Sequence, residues 1–149
     1  MFELSCKSPD QIIITTKTTT ITFDIAEFTI DADLKVGKIQ GPGEFEIGDV
    51  TIRGIDIDQG RTLYDAEIDG VHVGIIGGFE EGLDDLGVSD ILCTSSIRAI
   101  REIEPKIVVA MGNVDQMVAE LKVPARAEKK LKIKKADALP ATLEVVALN

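Results

Sequence analysis

The sequence predicts a mixed α/β (α+β) domain, a sandwich of two sheets with helices on its outside. Residues 1–77 read as strand after strand with a period of two, and residues 90–148 alternate strand with helix. With 4% aromatic residues and no Trp, the core has to be built from Ile, Val and Leu. The result is an antiparallel N-terminal half followed by a βαβαβ C-terminal half. A chain of 149 residues fits one domain, 1–149, since domains commonly hold roughly 100–200 residues.

Gln11–Thr16 and Thr18–Asp24 are rich in Ile and Thr, and the region of Lys17 between them reads as a tight turn or a kink. Strands follow at Leu34–Gln40, Phe45–Ile47, Val50–Ile57, Thr62–Ile68 and Val71–Ile76. Gly48-Asp49 and Asp69-Gly70 are turn dipeptides between alternating runs, so each is expected to close a hairpin. After Gly77 the period changes. Asp90–Cys93 is a short apolar strand, Thr94-Ser95-Ser96 offers an N-cap, and Ile97, Ile100 and Ile103 predict a helix that Pro105 stops. Lys106–Met111 is a continuous apolar run, which suits a strand covered on both faces. Asn113 with Gln116 resembles a capping box, and Val114, Met117, Val118 and Leu121 form the best helical stripe in the chain. Strands near Leu131–Lys134 and Thr142–Leu148 complete the pattern.

Lys and Arg number 16 against 26 Asp and Glu, a net charge of −10. Such a surface repels phosphate backbones, so nucleic acid is not expected as a partner. The exception is the stretch from Lys122 to Lys135, basic at Lys122, Arg126, Lys129, Lys130, Lys132, Lys134 and Lys135 and acidic only at Glu128. Its alternation around Ile133 reads as the solvated side of a strand. No apolar stretch approaches the 18 or so residues that span a bilayer, and no signal peptide is visible, so no membrane partner is expected and the chain reads as cytoplasmic.

Chemistry is limited above all by ligand scarcity. His72 is the single histidine, and Cys6 and Cys93 are the two cysteines, whereas a mononuclear zinc site usually takes three protein ligands drawn mostly from these types. His72 is read as an exposed strand residue if Val71 and Val73 face the core. Cys93 ends a buried strand and is read as core. The alternating carboxylates Asp31 and Asp33, Glu44 and Glu46, and Asp56 and Asp58 could hold a hard cation, although acidic edges that maintain solubility are the plainer reading. Glu80, Glu81, Asp84 and Asp85 read as a solvated helix start. Gly74-Ile75-Ile76-Gly77-Gly78 lacks the Lys and Ser/Thr of a phosphate loop.

Three segments carry a resemblance. Gly41-Pro42-Gly43-Glu44-Phe45-Glu46-Ile47 with Val50–Ile55, the run Ile68–Gly78, and Ile103–Met111 with Leu131–Lys135 together resemble the small, UlaG-like branch of the metallo-β-lactamase superfamily. The resemblance covers about residues 40–148 and implies an αββα sandwich, here truncated. In that family the fold normally carries one or two metals that activate water for hydrolysis of phosphoesters, lactones or amides. The family's His-x-His-x-Asp-His loop would fall between Asp24 and Gly41, an interval with no histidine and little room for a loop and helix. In its His-Leu-Gly-Asp motif the His falls on Ile75 and the Asp on Gly78, and its last His falls on Gly112. These degenerate positions cannot coordinate, so the expectation is a pseudoenzyme: a protein with the family scaffold, no catalytic or metal-binding residues and no cofactor. It is expected to act as a binding or assembly module, with another copy or another protein as partner. The alternative is a hydrolase with a displaced Mg²⁺ or Mn²⁺ site on Asp31, Asp33, Glu44 or Asp56. A small-ligand binder using the vacated cleft is a third possibility.

Overall fold

The structure is a computed structural model that describes residues 1–32, 37–58 and 60–149, with the backbone alone at Asp137. The first strands are β1 (Phe2–Ser8), β2 (Gln11–Thr15), β3 (Thr20–Asp24), β4 (Thr29–Asp31) and β5 (Ile39–Gln40). After them come β6 (Gly43–Ile47), β7 (Val50–Asp58), β8 (Arg61–Ile68) and β9 (Val71–Gly77). The remainder runs α1 (Leu83–Leu86), β10 (Ile91–Thr94), α2 (Ile97–Ile103), β11 (Ile107–Ala110), α3 (Val114–Leu121), β12 (Ala125–Glu128), β13 (Leu131–Ile133) and β14 (Glu144–Leu148). One sheet has six strands in the order β13-β1-β2-β3-β4-β5, and the other has eight in the order β12-β14-β11-β10-β9-β8-β7-β6.

Period two decides the six-stranded sheet. Phe2 and Leu4, Ile12 and Ile14, and Ile21 and Phe23 alternate inward and are at most 1% exposed. They meet Ile52, Tyr64, Val73, Ile75, Cys93, Val109 and Val146 of the eight-stranded sheet in a single inner core. The eight-stranded sheet buries its second face as well. Leu63, Ile76, Leu92, Val108 and Val145 point outward onto Leu83 and Leu86 of α1, Ala99 and Ile100 of α2, and Met117 of α3. That double burial explains the continuous apolar runs of β9, β10 and β11. All three helices contribute their buried side chains to this outer layer, which makes the sandwich a truncated αββα arrangement.

β6 to β9 are antiparallel neighbours, and β9, β10, β11 and β14 are parallel. The Asp69-Gly70 turn closes β8 onto β9 with Ile68 opposite Val71, and positive φ at both turn residues (52° and 79°) suits the hairpin's twist. The Lys17 region is a turn, with Thr16 N donating to Thr19 O at 2.8 Å. Ser96 caps α2 by accepting from Ala99 N at 3.1 Å, a contact worth about 1 kcal/mol.

Several local expectations need correction. Asn113 takes a left-handed conformation (φ 61°), so it makes no capping box with Gln116; its Nδ2 donates to Ser95 O instead. Gln116 donates to Glu120. Strands β1, β4 and β12 were not anticipated, because each is short or carries polar side chains at half its positions. Of the expected strand Leu34–Gln40, only Ile39–Gln40 is seen as strand, and residues 34–36 lie outside the described residues.

Candidate functional site

The parallel run β9, β10, β11 and β14 brings its carboxyl ends to one edge of the sandwich, the place where open α/β sheets hold ligands. Register sets Ile75 beside Cys93 and Gly77 beside Thr94, with Thr94 beside Ala110. The loops that follow, at Gly78, Ser95-Ser96 and Gly112-Asn113, therefore stand side by side. Thr94 Oγ1 and Ser95 N both donate to Gly77 O, at 2.6 and 2.9 Å, tying the ends of β9 and β10 together. Ser96 Oγ also donates to a carboxylate oxygen of Glu80.

The three positions implied by the resemblance lie at this edge with different surroundings. Ile75 is 0% exposed and packs in the inner core, between Tyr64 of β8 and Cys93 of β10. Gly78 is exposed, and a β-carbon there would stand 3.2 Å from Ser95 Oγ. Gly112 has φ +96° with open space around it.

Facing them is the turn that follows β3. Asp24 accepts from Ala26 N at 2.9 Å, from Glu27 N at 3.0 Å and from Gln11 Nε2 at 3.0 Å. Partial burial works against its charge, but these hydrogen bonds hold its carboxyl below the ordinary range. The turn they stabilise delivers two apolar side chains. Ile25 packs into the space beside Gly77, where a β-carbon would collide with it. Phe28, at φ 59°, packs against Phe79 with ring centroids 5.5 Å apart and the rings tilted by 48°, and Arg61 lies over the Phe79 ring at 5.1 Å. Tyr64 donates its hydroxyl to Phe28 O at 2.8 Å, and burial pushes its phenol up to about 12. Among the described residues at this edge, Ile25, Phe28 and Phe79 are apolar and packed, and the polar side chains, Glu80, Ser95, Ser96 and Asn113 among them, bring together no three-ligand shell that would fit a metal. Beside them a crevice of about 280 Å³ opens between the sheets, lined largely by Cys6, Ile12, Met111, Val114 and Leu148.

Among the described residues no three His, Cys, Asp or Glu side chains converge as a metal shell requires. Asp31 sits on β4 of the six-stranded sheet opposite Thr22. Glu44 lies opposite Arg53 on β6, whereas Asp56, three residues along β7 from Arg53, points to the other face of that strand. Asp33 lies outside the described residues. Cys93 is fully buried, and burial pushes its thiol well above the usual range.

One cluster escaped the sequence reading. Asp65, only 5% exposed, lies on the outer face of β8 with Arg53 directly opposite on β7. Its Oδ2 is 3.2 Å from His72 Nδ1 and 3.8 Å from Arg53 Nη2. Burial raises its carboxyl pKa, while the His72 contact and the nearby Arg53 charge oppose the rise. Arg53 also donates to Leu86 O at 2.7 Å, which anchors α1 to the sheet. His72 is half-exposed and faces away from the strand ends, on the helix-bearing side of the sheet. A signal was present: the Asp69-Gly70 turn fixes Glu67 opposite His72 and Asp65 opposite Gly74, so the cluster follows from counting back along the hairpin.

Among the described residues no helix is long and apolar enough to cross a membrane, which says nothing of β-strands. No protein-family model and no curated protein matches this sequence. Among solved structures the chain is similar to a protein from Thermotoga maritima assigned as a Zn-dependent hydrolase of the metallo-β-lactamase superfamily. The two share 15% identity over 100% of both chains, with a TM-score of 0.72. At that identity the likeness concerns architecture alone, and the architecture of this chain is the metallo-β-lactamase-like sandwich.

Proposed function

We propose that this chain is a non-catalytic protein of the metallo-β-lactamase fold, of the UlaG-like kind, that has lost the zinc site and serves as a binding or assembly module. One observation carries the reading: Ile25 packs against Gly77 at the strand ends, in the interval where the family's first ligands would stand. Ile75, Gly78 and Gly112 add no donor atom, and neighbouring hydrogen bonds cannot turn Ile or Gly into a ligand. Ile25 fills the volume beside Gly77, and around the open Gly78 and Gly112 the described residues offer no three-ligand shell to hold the metal that would activate a water.

The partner is a second copy or another protein. Among the described residues both flanks of the sandwich end in edge strands, β5 and β6 on one side and β12 and β13 on the other, and open edges invite pairing. Light scattering on the purified protein reads the self-association directly.

Metal analysis after purification and dialysis tests the main reading, with the expectation of far less than one zinc or iron per chain. One tightly held metal per chain would overturn it. A panel of phosphodiesters and lactones should show no turnover with or without added Mg²⁺ or Mn²⁺. Turnover abolished by EDTA and by substitution of Asp31, Asp33, Glu44 or Asp56 would establish the displaced-site hydrolase instead.

A further inference from the structure

We propose that His72 and Glu67 form a reversible binding site for a borderline divalent cation such as Zn²⁺, on the helix-bearing face of the eight-stranded sheet and away from the family's strand-end site. The two residues are direct cross-strand partners on β9 and β8, so the backbone presents their side chains on one face. His72 Nε2 and Glu67 Oε2 are 3.9 Å apart. A tetrahedral ion with bond lengths near 2.0–2.2 Å needs them roughly half an ångström closer. Glu67 is about half exposed, and a change of side-chain rotamer would close that gap.

The imidazole is arranged as a metal ligand commonly is. Its Nδ1 faces the buried Asp65 carboxylate at 3.2 Å, an arrangement that suits a proton on Nδ1 and a lone pair on Nε2 directed outward. Backing of this kind fixes both tautomer and ring orientation. Arg53 is the cation that could compete, but its guanidinium is held by Leu86 O and lies on the Asp65 side of the cluster. The surrounding cleft, about 300 Å³, sets Glu44, Asp65 and Glu67 against Arg53 alone, a balance that favours a cation. With two protein ligands, water completes the shell, so binding is weaker than in a closed structural site and exchanges readily.

The test uses the full chain and Zn²⁺ alone, followed by NMR. His72 is the single histidine, so its ring signals need no assignment. Saturable movement of the Nε2 signal with a 1:1 end point is expected. Glu67→Gln should weaken binding at least about tenfold and Asp65→Asn about 10–100-fold, through the loss of the carboxylate behind the ring. An unmoved ring signal, or equal affinity in His72→Ala, overturns the proposal. Because Glu67 is half exposed, Glu67→Gln leaves the fold intact, and an unchanged affinity in that variant also counts against the pair. Failure here leaves the vacated strand-end site untouched, whereas a tightly held metal persisting in His72→Ala overturns that reading and not this one.

Discussion

The side chain of Ile25 occupies the volume beside Gly77 into which a β-carbon on that glycine would project. Gly77 also sits at φ +59°, a conformation that costs an L-residue roughly 1–2 kcal/mol. Sterics and backbone geometry thus both demand glycine at the end of β9. Gly77→Ala should destabilise the protein by about 2–4 kcal/mol, the sum of the left-handed cost and moderate overpacking. Adding Ile25→Ala should recover the overpacking part and leave the backbone part. Urea unfolding of the two single variants and the double variant reads this as a coupling energy. Simple additivity would show that the two residues do not share the space.

Tyr64 closes the same region from the other side through its 2.8 Å bond to Phe28 O. Tyr64→Phe removes the donor and leaves a part-buried carbonyl without it, at a cost of about 1–2 kcal/mol. The pH dependence has a definite sign. The phenol titrates near 12 when folded against 10.0 ordinarily, so the folded state holds this proton more tightly. The stability from Tyr64 is complete below pH 10 and is lost as pH rises through about 12. Alkaline titrations of unfolding should therefore show wild type losing stability relative to Tyr64→Phe over that window. Parallel curves would refute the assignment.

Asp49 links the turn of one sheet to the turn of the other. It accepts from Thr16 Oγ1 at 2.7 Å and from Thr18 Oγ1 at 3.2 Å. The Thr16 bond chiefly holds its carboxyl below the ordinary value of 3.8. A depressed folded value means that the stabilisation is present above pH 3.8 and fades as pH falls through the lower folded value. Asp49→Ala should be less stable than wild type at neutral pH, by a modest amount because the site is exposed, and the difference should shrink under acid. Denaturation midpoints at neutral pH and near pH 3 measure it.

The two thiols should differ sharply in reactivity. Cys6 is part-buried and bonded to Leu148 O at 3.3 Å, while Cys93 is 0% exposed with its thiolate strongly disfavoured. A thiol reagent should modify Cys6 slowly in the native protein and Cys93 only on unfolding. Rapid labelling of Cys93 in the native state would mean that β10 does not sit between the two cores.

The sequence by itself determined the elements whose pattern is set by local rules. Alternating Ile and Thr made strands, Asp69-Gly70 set a hairpin register, Ser96 started α2, and Pro105 ended it. It also determined, through Ile75, Gly78 and Gly112, that no metal donor stands at those positions. Only the tertiary structure decided what meets across the sheets, because those contacts join residues far apart in sequence. Ile25 reaches Gly77 across 52 positions. Tyr64 reaches Phe28, and Arg53 reaches Leu86, because two sheets and a short helix fold over one another. Asp65 marks the boundary between the two kinds of knowledge. Its strand position could be counted from the hairpin, but its burial, and with it the altered proton affinity, exists only once α1 has packed over the sheet and Arg53 and His72 have closed around it.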